Sequence, residues 1–122
     1  MGEPKAKVTH YTDVPTARFG GEAPGTSIRW LIDEEHDGAQ VYALRMIEME
    51  PGGHSPDHIH PYEHENYVIE GHGEVRIEES WHPIGPGSVV FVPPGTRHQY
   101  RNTGNEPFRF LCGVPVEKLR GG

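Results

Sequence analysis

Only one of the 122 residues is a cysteine, Cys112, so no disulfide forms within the chain. Disulfides belong to oxidising compartments, and a lone thiol makes the reducing cytoplasm the expected location. Basic residues are outnumbered, 11 Lys and Arg against 18 Asp and Glu, for a formal net charge of −7. Nucleic acid and anionic membranes are bound mainly through Lys and Arg, so neither is an expected partner. No apolar run approaches the length that crosses a bilayer, and no charged-then-apolar leader is visible. Helical patterning is scarce too. No segment keeps an apolar helical period over three turns, and Val116 to Arg120 has room for a single turn.

What the chain does have is punctuation. Sixteen glycines and 12 prolines interrupt it at short intervals, which suits many short strands joined by turns. The length fits one domain, residues 1–122, and 34% hydrophobic residues are enough for a core. Strands are predicted at 8–19, 27–32, 40–50, 57–60, 65–70, 74–79, 88–92, 97–102 and 108–114, most bounded by Gly, Pro or Asn. The acidic stretch Asp33 to Gly38 reads as an exposed turn. The class is therefore all-β, a sandwich or a jelly-roll barrel.

Histidine is the over-represented residue, with nine copies, of which His54, His58, His60, His64 and His72 fall within 54–72. If Asp57 to His60 is a strand, His58 and His60 project from one face and Ile59 from the other. Two such imidazoles can reach one ion at about 2.0–2.2 Å. His64 follows four residues later, past Pro61, where a turn can swing a third imidazole into the same volume. Spacing alone also fits unrelated loop histidines.

The segment GGHSPDHIHPYEHENYVIEG, with Gly52, His58, His60 and Gly71, resembles the first motif of the cupin superfamily. GSVVFVPPGTRHQYRN is similar to the second, with Gly87, Pro93, Gly95, His98 and Asn102 in register. In the first motif three or four residues separate the second histidine from a glutamate, and six more separate that glutamate from the glycine. His64 meets both counts, whereas Glu65 leaves five residues before Gly71, so the slot is assigned to His64. HPYEHE also looks like small bacterial cupins in which histidine replaces that glutamate. With Glu65 as ligand the site would instead be the commoner three-histidine, one-glutamate arrangement.

The resemblance implies a cupin jelly-roll barrel over about 27–115 with an N-terminal arm, 1–26. It implies a metal held by His58, His60, His64 and His98. Nitrogen donors suit one divalent transition metal, Mn, Fe, Ni, Cu or Zn, with Mn or Fe favoured. The implied activity is dioxygenase-like oxidation of a small organic substrate. The alternatives are a Lewis-acid isomerase or lyase acting on a sugar or ketoacid, and a non-catalytic metal- or ligand-binding protein. It further implies a homodimer, with 8–19 the segment suspected of exchanging between copies. Three residues are candidates for catalytic work: Glu65, Tyr100 and Cys112. Tyr100 shares the face of His98. Phe108, Phe110 and Cys112 share the apolar face of the last strand, which puts Cys112 either near the metal or simply in the core. Tyr62 lies on the turn between ligands, as a gate or exposed. His10, His36, His72 and His82 read as exposed, and His54 as standing at the barrel mouth.

Overall fold

We analysed a computed structural model of the chain, which describes residues 3–18 and 21–119. Nine strands run in the order β1 (Ala17–Arg18), β2 (Thr26–Ile32), β3 (Tyr42–Met49), β4 (His64–Glu70), β5 (Gly73–Ile77), β6 (Ser80–Ile84), β7 (Val89–Val92), β8 (His98–Asn102) and β9 (Phe108–Pro115). The described residues also include the one-turn helices α1 (Glu34–Asp37) and α2 (Val116–Leu119). The strands form a six-stranded sheet, β1-β2-β3-β9-β4-β7, and a three-stranded sheet, β6-β5-β8, all antiparallel. The result is a jelly-roll barrel. No described helix is long and apolar enough to cross a membrane.

Alternation explains the core. On β9, Phe108, Phe110, Cys112 and Val114 are buried while the residues between them are half-exposed. On β4 the buried set is His64, Asn66 and Val68. Met49, Val92 and Tyr100 fill the space between the sheets. The turns follow the two sequence motifs. Gly52, Gly71, Gly87 and Gly95 all have positive φ, which a side chain opposes. Gly71 illustrates the second constraint: at φ +82° an added Cβ would also strike the Pro107 carbonyl. Asn102, buried, ties three backbone groups: its Nδ2 donates to Met49 O (2.9 Å) and Glu106 O (2.8 Å), and its Oδ1 accepts from Gly104 N (2.8 Å).

Three sequence expectations need correction. Residues 57–60 are not a regular strand. Prolines 56 and 61 flank them and bring no N–H to a ladder, and His58 makes only an isolated bridge to His98. Residues 8–19 hold a 3-10 turn at Tyr11–Asp13 and the two-residue β1, with Phe19 outside the described residues. This arm lies on its own barrel through Arg29, whose Nη1 donates to Tyr11 O (3.2 Å) and Val14 O (2.6 Å). Finally, β6 was not expected. Pro83 speaks against a strand, but β6 is an edge strand, where proline is tolerated. The turn before it, Glu78-Glu79, has no glycine, although Glu78 takes φ +52°. Asp33 to Gly38 closes into α1 because Asp33 Oδ1 accepts from His36 N (2.8 Å) and Gly38 adopts φ +71°. The single turn expected at 116–120 is α2, apart from Arg120, which is outside the described residues.

Candidate metal centre

The barrel carries a cup of about 150 Å³ between the two sheets. His64 enters it from the first residue of β4, and His98 from the first residue of β8. His58 and His60 enter from the irregular segment before β4. That segment is tied down at defined points. His58 N donates to His98 O (3.0 Å) and His98 N to His58 O (2.9 Å), while Gly95 N donates to His60 O at 2.7 Å. The motif turn Pro93-Pro94-Gly95 therefore positions the loop histidines as well as His98.

His60, His64 and His98 each offer a nitrogen, all within 4.8 Å of one another. Small side-chain rotations bring such atoms to the spacing of donors that each lie about 2.1 Å from one ion. His58 falls outside that three-nitrogen group but stands beside it, its ring centroid 4.8 Å from that of His60.

Ring orientation supports donation. His98 Nδ1 lies 2.9 Å from Thr96 O, so that nitrogen carries the proton and Nε2 keeps its lone pair. His64 Nδ1 faces Cys112 Sγ at 3.3 Å, and its Nε2 is buried without a hydrogen-bond partner among the described residues. A buried nitrogen left in that state costs free energy, and an ion would remove the cost. Burial holds the imidazolium form of His64 down to about pKa 3, with the Arg45 charge adding to it. Burial, then His98, brings His60 to about 4. His98 is lowered by burial against an opposing bond to Thr96. Neutral imidazoles are the form that binds metal. The donor set fits a divalent transition metal.

The catalytic candidates separate. Glu65 is exposed on the outer face of β4, one residue out of phase with His64, and does not line the cup. A hydrogen bond shared with Glu63 raises its carboxyl pKa to about 7. Tyr100 does line the cup, but its hydroxyl donates to Asn66 Oδ1 and burial raises its pKa. Its one hydroxyl proton is engaged in that bond. Cys112 lies in the cup wall, against His64 and Arg45. Tyr62 is half-buried and stacks on His60, centroids 4.9 Å apart. His10, His36, His72 and His82 are exposed, while His54 is half-buried and bridges to Arg101 on β8.

Arg45 is the charged cup residue that sequence reading missed, along with Thr26, Ile47, Ser55 and Pro56 of the lining. Alternation along β3 had the signal: Ala43, Arg45, Ile47 and Met49 share one face, and Ala43, Ile47 and Met49 are buried.

Known proteins resemble this chain closely. The cupin domain family matches residues 45–114. Protein SchB of Streptomyces halstedii is 32% identical over 113 residues, covering 91% of this chain and 78% of that protein. The solved polyketide cyclase RemF of Streptomyces resistomycificus is 34% identical at a TM-score of 0.85, covering 93% of this chain and 82% of that one. A glucose-6-phosphate isomerase of Thermococcus kodakarensis is 46% identical, but over 56 residues only, 42% of this chain and 30% of the isomerase.

Proposed function

The chain belongs to the cupin family, and on that premise we propose that it is a metal-dependent enzyme acting on a small enolisable or phenolic compound of the polyketide kind. The observation that carries the proposal is the buried Nε2 of His64, without a hydrogen-bond partner among the described residues, in a group of three histidines whose ligand nitrogens lie within 4.8 Å of one another. In this reading His60, His64 and His98 hold the ion, and His58 is the fourth ligand. A divalent ion bound there would act as a Lewis acid, stabilising negative charge on a substrate oxygen. The chain's own residues supply the rest. Thr96 O and Cys112 Sγ orient His98 and His64. Phe110 and Ile47 give the cup an apolar wall that favours a ring and excludes water. A volume near 150 Å³ suits a single ring or a short segment of a longer chain. The substrate class is supported by the likeness to the polyketide cyclase RemF.

Oxygen-dependent oxidation, the dioxygenase reading, is the second reading. It is favoured by the placement of the proton carriers: Glu65 points outward and Tyr100 is committed to Asn66, whereas isomerisation and cyclisation need a proton moved at carbon. Residues 27–115 are taken as the barrel, 1–26 as its arm, and the chain as a homodimer. Tyr67, Val89 and Phe91 lie side by side on the outer face at the β4–β7 edge and are exposed, a patch a second copy would cover.

The test begins with elemental analysis of untagged protein. Near one equivalent of a transition metal per chain, lost in His60→Ala, is expected. Small phenols and β-diketones are then incubated with and without oxygen. Turnover without oxygen, with product mass unchanged or lower by one water, supports the Lewis-acid reading. Turnover with matching oxygen uptake selects oxidation. No metal in either protein would overturn both.

A further inference from the structure

The cup holds a charge that metal ligation leaves unexplained. Arg45 sits on β3 directly opposite Cys112 of β9 and lines the cup with the histidines. Its Nη2 donates to Cys112 Sγ at 2.9 Å, and sulfur is a weak acceptor. Its Cζ lies 5.5 Å from the Trp30 ring centroid. Its Nε is buried and has no hydrogen-bond partner among the described residues.

Other arginines of the molecule are treated differently. Arg109 meets Glu48 and Glu70, Arg101 meets Glu74, and Arg97 and Arg76 meet Asp57. Arg18 faces Glu50, and Arg29 donates to two backbone carbonyls. No described carboxylate lies within ion-pair distance, 4.0 Å, of Arg45. This is no shortage of acid in a chain of net charge −7. A partly buried guanidinium with an unmet N–H is unfavourable unless an anion completes it. The histidines sharpen the point. Imidazoles bind as neutral ligands, so a divalent ion beside Arg45 would leave the cup strongly positive, with no carboxylate among its described lining residues.

We propose that Arg45 is the anion-anchoring, specificity-determining residue of the cup, selecting ligands that carry a carboxylate next to the ring or carbonyl carbon. This deepens the metal-enzyme reading and rests on it for the second of its two arguments. The guanidinium of Arg45 lines the cup, and its N–H groups are donors of the kind that match the oxygens of a carboxylate. The apolar wall of Phe110 and Ile47 then receives the ring.

Salicylate and its neutral counterpart salicylamide are the probes, titrated calorimetrically into the protein as purified and after chelator treatment, near neutral pH and at low salt. Salicylate is expected to bind about tenfold tighter or better, the size of a charge-assisted fork. In Arg45→Met the preference falls to about unity while metal per chain stays as in the wild type. The melting temperature holds or rises, because an unbalanced buried cation has been removed. Arg45→Gln serves if the methionine variant does not fold, and Arg45→Lys keeps part of the preference because the charge survives without the fork. Equal affinities in the wild type, or a preference that survives in Arg45→Met, would overturn the assignment. A preference seen in protein shown to contain no metal would instead sink the metal reading and leave Arg45 in its role. Bound metal with no preference would do the reverse.

Discussion

The four histidines of the cup come from two kinds of backbone. His64 and His98 open regular strands, are 5% and 4% exposed, and take their direction from ladders that run across the sheets. His58 and His60 come from a proline-flanked loop, are half-buried, and are held by a few bonds to the chain beside them. One half of the site is a wall and the other a tethered strap. Burial differs accordingly, and so does the electrostatic effect: the imidazole of His64 is depressed further than that of His60. The lesson is that a ligand's identity lies in its residue type, whereas its precision lies in whatever orders its backbone.

The largest effect is expected where the wall itself is damaged. Phe108 is fully buried, its ring beside Gly73 of β5 and Phe110, so Phe108→Ala should cost about 3–5 kcal/mol of stability. Chemical denaturation measures it, and metal should be lost together with the fold. The next test compares the halves directly. His98→Ala should weaken metal binding by roughly a hundredfold or more, and His58→Ala by about tenfold, since a strap can readjust and a wall cannot. Competition with a chromogenic chelator reads both, and equal losses would erase the division between wall and strap.

A smaller effect follows from pH. The folded pKa values of His60 and His64, about 4 and about 3, lie below the ordinary 6.5. Between those values the unfolded chain binds more protons than the folded one, so stability there rises with pH. Metal-free protein should hold this contribution above about pH 6.5 and lose it as pH falls toward 4. His64→Asn should flatten that acid-side slope more than His60→Asn, as thermal melts across pH will show. The smallest effect belongs to Glu65→Gln, which should leave metal content unchanged because that side chain is on the outer face. Loss of metal there would return the glutamate slot to Glu65.

Much of this is legible in the sequence. The motif glycines marked turns because only a residue without Cβ enters positive φ cheaply, and Gly52, Gly71, Gly87 and Gly95 do. Period-two alternation placed Phe108, Phe110 and Cys112 on one buried face. The same rule applied to His58 and His60 failed, because prolines on both sides keep the segment out of a ladder. The hairpin into β6 stayed hidden because its turn is Glu78-Glu79, and a strained glutamate leaves no compositional trace.

Local chemistry, then, belonged to the sequence: which residues can turn, which can alternate into a core, and which carry nitrogen donors. All of these depend on single side chains and their neighbours along the chain. The tertiary structure alone decided which donors meet, that Glu65 faces outward while His64 faces in, and that Arg45 stands in the cup with no carboxylate among the described residues to answer it. Those outcomes depend on residues far apart in sequence, such as the pairing of β3 with β9, and on the desolvation that only a closed barrel imposes.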